Sequence, residues 1–325
     1  MCFNYEAMGE QYGIVTVLAR PTVLSHAVPE TLLARLRENG VMRLVRMLPP
    51  LPFSVIVHAR FQRRFSLFRN PTRFSELITH KKIYDHNPLF TKTADKFAVR
   101  EYVAEAIGEQ YLIPMQQVVD QPEHIDWQAL RGQVVIKGTH GCNMTMLVDT
   151  RRSVDVASVN AKTREWLAID WYDMWKEWAY RNIPPRLIIE EFIGVDGSPP
   201  ADFKFHTFNG RVEMIQIDTD RFSDHKSTMF SPDWRRLNVG SSFGVDESTL
   251  KPPANIDQMI GLAETLAKPF DYARIDLYNV NGRIYFGEIT HYPGAASVSF
   301  DPPSFDDALG ALWRNGTPIP AEFYA

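Results

Sequence analysis

What this sequence is short of narrows its class first. It holds two cysteines, Cys2 and Cys142, in 325 residues. Neither stands in a metal-binding spacing or a disulfide framework, so a disulfide-stapled scaffold and a cysteine-ligated metal site are both excluded. A reducing compartment, the cytoplasm, is the expected location. The N-terminus lacks a charged n-region followed by an apolar core and a small-residue cleavage site, so a secretory signal is not expected. The longest apolar run, Met47 to His58, contains three prolines and is too short for a transmembrane segment. No charge sign dominates: 35 basic and 39 acidic residues leave a formal net charge of -4. A nucleic-acid partner is disfavoured, because no global positive field is present. Beside the apolar run stand Arg60, Arg63, Arg64 and Arg69, which read either as an ordinary basic face or as a peripheral contact with an anionic membrane surface. A Walker loop, a sugar-nucleotide motif and a Ser-His-Asp or Cys-His arrangement are also missing.

What is present supports a sizeable core. At 45% hydrophobic content over 325 residues, two or three packed units are expected. Glu30 to Leu44 repeats Leu32, Leu33, Leu36 and Val41 near helix period, and a Pro-rich connector, Leu48 to Pro52, follows. Thr93 reads as the N-cap of a helix with Phe97, Tyr102, Val103 and Ile107 on its apolar face and Gly108 as its stop. Gln133 to Lys137 is a β-branched run that leads into a polar loop, Gly138 to Thr145. Trp166, Trp171, Trp175 and Trp178 suggest one tryptophan-rich helix, better explained by core packing than by an aromatic substrate platform. Beyond Pro185 the pattern turns to strands. Asn209-Gly210 and Asn281-Gly282 mark hairpins between alternating runs, and Ile256 to Ala267 has the spacing of an amphipathic helix covering that sheet. The organisation expected is an N-terminal region over 1–89 that shapes substrate binding, a unit over 90–185, a second over 186–305 and a tail over 306–325.

The strongest local feature is the hairpin that carries Arg274 and Asp276 on one strand and Glu288 and Thr290 on the other. Two hard carboxylates, with water and phosphate oxygens completing an octahedron, are how magnesium is held at a nucleotide site; the bland alternative is an exposed sheet with scattered charges. A two-residue Asn-Gly turn would pair position 276 with 287 and put the two acids on opposite faces. The metal reading therefore predicts a three-residue loop over Val280 to Gly282, or a bulge. Lys137 ends a buried-looking strand beside a Gly-containing loop, a suitable place to hold phosphate, and Lys96 is a second candidate cation. Glu190 and Glu191 interrupt an apolar strand, where an adenine amino group or a ribose hydroxyl would offset the cost of burying an acid. Asp202 and Lys204 alternate with Phe203 and Phe205, so they share a strand face, either as a half-solvated ion pair or as ribose and phosphate contacts.

Taken in order, these segments resemble the ATP-grasp superfamily, and specifically its TupA-like branch. The resemblance covers roughly two-thirds of the chain, from Asn70 to Asp301. It rests on the runs Asn70 to Phe74, Tyr84 to Phe90, Asp95 to Val103, Val135 to Gly141, Ile189 to Ile193, Asp202 to Gly210 and Arg274 to Gly294. It implies an α+β fold of two α/β lobes, 90–185 and 186–305, whose antiparallel sheets clasp ATP, preceded by a smaller, mainly helical region. It further implies that Lys96 and Lys137 hold nucleotide phosphates and that Gly138 begins a mobile loop closing over them. Glu190, Glu191, Phe192 and Ile193 would form the hinge whose backbone reads adenine. Asp202 would contact ribose and Lys204 phosphate. Asp276 and Glu288 would ligate Mg2+, and Arg274 would face the transferred phosphoryl group. Many members have asparagine where this chain has Thr290, a weaker metal ligand, although the TupA-like branch shares the threonine.

The implied chemistry is ATP-dependent activation of a carboxylate as an acyl phosphate, followed by attack of an amine, as in a ligase of surface-polymer or peptide natural-product biosynthesis. The implied substrates are an amino acid, a peptide or a uronic-acid-containing molecule. Three rivals are a kinase on the same fold, a non-catalytic nucleotide-binding partner of a polysaccharide assembly complex, and a glycosyltransferase.

Overall fold

The computed structural model describes residues 42–195, 198–219, 226–241, 246 and 250–325. Most of the helix expected over Glu30 to Leu44 lies outside the described residues; 42–46 are helical. Beyond 46, the described residues form eight α-helices: α1 (Pro50–Gln62), α2 (Phe74–Tyr84), α3 (Pro88–Ala94), α4 (Val99–Ala106), α5 (Val156–Leu167), α6 (Trp171–Trp175), α7 (Ile256–Ala267) and α8 (Ser304–Asn315). Nine strands among the described residues form two antiparallel sheets. The first joins β1 (Met115–Val119), β2 (Gln133–Gly138), β3 (Thr145–Asp149) and β4 (Leu187–Glu191) in the order β1-β4-β2-β3. The second joins β5 (Asp202–Phe208), β6 (Arg211–Thr219), β7 (Lys226–Phe230), β8 (Tyr272–Val280) and β9 (Arg283–Thr290) in the order β7-β6-β5-β8-β9. No helix among the described residues is long and apolar enough to cross a membrane.

Each sheet has its own core. Val134, Ile136, Met146, Val148, Leu187 and Ile189 pack with Val159, Trp166 and Trp171 against the first sheet. The apolar faces of β5, β6 and β8 (Phe205, Ile215, Ile275 and Leu277 among them) pack with Met259, Ala263 and Leu266 of α7. That helix runs from Ile256 to Ala267 as its apolar period predicts. The same core takes in Phe74 and Ile78 of α2, Phe90 of α3 and Val103 of α4. The C-terminal residues join it as well. Phe305, Leu309, Leu312 and Trp313 of α8 are buried there, and Gly310 lets the helix press against residues 72 and 73, where a Cβ would come within 2.1 Å of the Thr72 carbonyl.

Two expected helices are divided differently. Thr93 is inside α3, not a cap: its hydroxyl donates to the Leu89 carbonyl at 2.8 Å. The chain leaves the helix at Asp95, whose carboxylate accepts from the Phe97 N–H at 2.9 Å, and resumes it at Val99. Lys96 therefore sits in a turn. The tryptophans occupy three elements, Trp166 in α5, Trp171 and Trp175 in α6, and Trp178 in a 3-10 turn. Asp170 starts α6 afresh by accepting the Asp173 N–H, and Lys176, at φ 55°, ends it.

The two Asn-Gly hairpins of the second sheet turn on two residues with positive φ, Asn209 (50°) with Gly210 (80°) and Asn281 (52°) with Gly282 (84°), the geometry that Asn-Gly favours. Each hairpin then shifts register once in its second strand. His206 pairs with Met214 while Thr207 pairs with Val212, leaving Glu213 over. Leu277 pairs with Phe286 while Asp276 pairs with Glu288, leaving Gly287 over. These are β-bulges, and each moves the outer part of its strand by one residue, which exchanges the two faces.

Candidate active site

The bulges bring the charged residues of four strands to one face. Across β6, β5, β8 and β9 run the rows Gln216, Lys204, Asp276, Glu288 and Met214, His206, Arg274, Thr290, with Asp218 beside Asp202 in the row next to them. Residues directly opposite in an antiparallel pair point to the same side. Regular ladders would have aligned Asp202 with Ile217 and Asp276 with Gly287, taking Asp218 and Glu288 to the apolar side.

The Arg274 guanidinium grips Asp276 through two bonds, Nε to Oδ1 and Nη2 to Oδ2, both 2.7 Å. Its Nη2 also reaches Glu288 Oε1 at 3.0 Å and Thr290 Oγ1 at 3.1 Å, and the Thr290 hydroxyl donates to Glu288 at 2.9 Å. Lys204 Nζ bonds to Asp202 and lies 3.3 Å from Asp276 and 3.5 Å from Asp218. Asp202, Lys204, Asp218 and Asp276 are buried, whereas the Glu288 side chain keeps 31% exposure and opens the cluster to solvent. Burial raises the Asp276 carboxyl to about 6, with Arg274 and Lys204 opposing and Asp202 and Glu288 adding to the rise. Burial works against the charge of Arg274, yet Asp276, Glu288 and Asp202 hold it protonated well above its ordinary range. His206 is pushed down to about 3, by burial first and then by Arg274. It is therefore a neutral ring, spanning the Tyr272 hydroxyl at 2.9 Å and Gln216 at 3.2 Å.

Among the described residues, four carboxylates, of Asp202, Asp218, Asp276 and Glu288, thus meet the cations Lys204 and Arg274. Such hard oxygen donors suit magnesium. Among the described residues no group of three or more His, Cys, Asp and Glu is arranged to hold a metal by itself. Magnesium here would draw its other ligands from water and phosphate, as it usually does.

The second group of predicted residues lies on the first sheet. Lys137 on β2 and Arg100 on α4 both bind the Glu190 carboxylate, at 2.7 and 2.8 Å. The partner that offsets the burial of Glu190 is therefore this pair of cations. Neither the adenine amino group nor the ribose hydroxyl invoked from the sequence is needed, because β2 and β4 are neighbours and Val135 stands opposite Glu190. Glu191 is exposed, with its N–H on the Pro114 carbonyl, and the Phe192 N–H donates to Gln133; Ile193 follows in the partly buried strand exit.

Lys96 Nζ donates to the Gly141 carbonyl at 2.6 Å. The loop after Gly138 is packed down: Thr139, His140 and Gly141 are buried, and a Cβ on Gly141 would lie 2.9 Å from the Trp171 ring. The Cys142 thiol is pushed up to about 11, chiefly by burial, with Lys96 opposing and Glu288 and Glu177 adding. Asp218, His206 and Arg100 were not singled out from the sequence. The first two had a signal, since Gln216 and Asp218 continue across the first hairpin the alternation of Asp202, Lys204 and His206.

A family model described as TupA-like ATPgrasp matches residues 76–314. An L-amino acid ligase from Bacillus licheniformis is similar at 14% identity and TM-score 0.44, over 85% of this chain and 62% of that one. A D-alanine--D-alanine ligase from Bacillus anthracis is similar at 16% identity and TM-score 0.42, over 68% of this chain and 63% of that one. Its complex with ATP gives 14% identity and TM-score 0.38, over 62% and 55%. The chain thus spans less than two thirds of the length of these solved structures. Comparison with curated proteins gives no match.

Proposed function

Because the chain belongs to the TupA-like ATP-grasp family and has the ATP-grasp fold, we propose that it is an ATP-dependent carboxylate–amine ligase. It would form an amide or peptide bond through an acyl phosphate and release ADP and phosphate. The observation that carries this reading is the alignment of Asp276 with Glu288 across the Gly287 bulge, on a face that also carries Asp202 and Asp218. Magnesium held by these two acids would supply charge neutralisation at the terminal phosphates of the nucleotide.

The chain's own residues do the rest by position and charge. Arg274 presents a forked donor that turns from the carboxylates to the phosphoryl group and the acyl phosphate. Lys204, buried beside Asp276, contributes a fixed positive charge to the same phosphate, and Asp202 beside it a ribose acceptor. Thr290 orients Glu288 through its hydroxyl. Lys137 and Lys96 supply cations for the other phosphates, Gly138 and the loop after it exclude water from the reactive intermediate, and Glu190 to Ile193 border the adenine. Neutral His206 braces β5 against Tyr272 and Gln216 without adding charge.

The substrates proposed are a small-molecule carboxylate and an amine, of the amino-acid, peptide or uronic-acid kind, joined in the cytoplasm for a surface polymer or a peptide natural product. The test incubates the protein with ATP, Mg2+ and pools of carboxylates and amines. Phosphate release that requires both pools, with the mass of a condensed product, is the expected result. A stable phosphorylated product formed without amine would replace the ligase by a kinase, and no ATP turnover across the pools would remove catalysis altogether.

A further inference from the structure

Helix α1 buries both of its polar residues ahead of Arg60 and leaves apolar Pro52 and Ile56 outward. Between Pro50 and Ala59 it carries no charge, and its two polar residues there, Ser54 and His58, are buried with Phe53 and Val57. The opposite row, at four-residue spacing, is Pro52, Ile56 and Arg60, all exposed. An uncharged, mostly apolar helical stretch is normally covered, and among the described residues Ile56 stays 41% exposed. The pattern extends to its flanks: Leu44 and Met47 before it are 67% and 79% exposed, and Phe65 and Leu67 after it are 73% and 46% exposed. Together with Ile56 these make five of the nine large apolar side chains exposed among the described residues, where single scattered ones would need no explanation.

The same stretch is strongly basic. From Asn39 to Ser75 the sequence holds seven arginines and no aspartate, glutamate or lysine, in a chain whose net charge is -4. Arg43, Arg63, Arg64 and Arg69 are exposed beside the apolar side chains. We propose that this segment docks on an anionic lipid bilayer, Leu44, Met47, Ile56, Phe65 and Leu67 entering the interfacial layer while the arginines meet lipid phosphates. A nucleic acid would satisfy the arginines but offers nothing to cover five exposed apolar side chains, and an apolar protein groove would leave the arginines facing one another. The lipid–water boundary offers both components.

The inner side of α1 is tied to the body of the protein. Gln62 Nε2 donates to the Ala296 and Val298 carbonyls at 3.0 and 2.9 Å, and His58 meets Phe68 edge-on at 5.1 Å. Ala296 closes the turn that follows Thr290. Docking would therefore hold the catalytic face at a fixed attitude to the bilayer, which suits a lipid-borne carboxylate or amine. The proposal itself does not depend on the ligase reading.

The test is co-sedimentation of the full chain with vesicles of phosphatidylcholine alone and of phosphatidylcholine with phosphatidylglycerol, at low and physiological salt. Binding to the anionic vesicles only, weakened by salt, is expected. Arg63→Glu with Arg64→Glu, and separately Ile56→Glu with Phe65→Glu, should each weaken it about ten-fold or more, with ATP binding and the melting transition as in the parent protein. Absence of binding, equal binding to neutral vesicles, or binding that neither double variant alters would overturn the proposal. So would a dimer in sedimentation that Ile56→Glu dissolves, which would assign the segment to a second copy, or retention on RNA without retention on vesicles.

Discussion

Asp276 on β8 stands directly opposite Glu288 on β9, although the two-residue turn of their hairpin, taken alone, would align Asp276 with Gly287. The extra residue is a glycine in a tight place. A Cβ there would lie 3.0 Å from the Asp276 carbonyl oxygen and 3.1 Å from the Tyr278 ring. The sheet uses the same device at Glu213, which brings Asp218 beside Asp202. Both bulges serve one end, a single polar face.

Gly287→Val should therefore disturb the carboxylate pair without unfolding the sheet. The expected outcome is a fall in ATP turnover of about ten-fold or more, with a melting temperature lowered by a few degrees, since strain in a packed position typically costs about 1–3 kcal/mol. Unchanged turnover in this variant would separate the bulge from the chemistry.

Glu288→Gln and Asp276→Asn should both lower turnover by about 10²-fold or more, the scale at which fixed charge facing a reacting group matters. They should differ in stability. The Glu288 amide would still accept from Arg274 and Thr290 at a partly exposed position, so its melting temperature should hold. Asp276 is the bidentate partner of Arg274 and a neighbour of Lys204, so Asp276→Asn leaves a buried lysine and a largely buried arginine undercompensated and should melt earlier. Calorimetry on both variants, with and without Mg2+ and ATP, checks the contrast; full activity in either would sink the metal assignment.

Lys137→Ala should raise the KM for ATP about ten-fold or more with a smaller change in kcat, because a phosphate cation is lost while Arg274 and the carboxylates remain. The variant also strips one of the two cations from Glu190, leaving Arg100, so a modest loss of stability is expected alongside. Initial rates over a range of ATP concentrations decide it: an unchanged ATP dependence would take Lys137 out of the phosphate site.

Buried histidines should make the protein acid-sensitive. His206 is pushed down to about 3 and His58 to about 4, both chiefly by burial, whereas an unfolded histidine titrates near 6.5. Between those limits the unfolded chain binds protons that the folded chain refuses. The stability present above about pH 6.5 is therefore lost as pH falls, at up to about 1.4 kcal/mol per pH unit for each histidine. Asp276, raised to about 6, works in the opposite direction between about 6 and 4. The comparison that isolates the effect is the pH slope of His206→Gln against the parent protein from pH 7.5 to 4.5, and the variant's slope should be shallower. Parallel slopes would mean that His206 does not titrate on unfolding.

By itself the sequence determined the local order. Strict alternation marked Asp202, Lys204, Arg274 and Asp276 as residues of one strand face each, Asn209-Gly210 and Asn281-Gly282 marked the turns, and the apolar period of Ile256 to Ala267 marked the helix behind the sheet. Such signals are readable because they follow from the two-residue and 3.6-residue periods of the backbone. The parity condition on the hairpin of Asp276 and Glu288 was readable too, but not its solution, since a longer loop and a bulge both satisfy it. Only the tertiary structure chose the bulge, placing Gly287 where the Asp276 carbonyl and the Tyr278 ring crowd any added side chain. Only it joined Asp218 to Lys204, gave Glu190 the cations of Lys137 and Arg100, and broke the tryptophan run at Asp170. The physical reason is common to these cases. Which residue is squeezed out of a ladder, and which charge answers another, depends on elements far apart in the chain, whose packing no local period encodes.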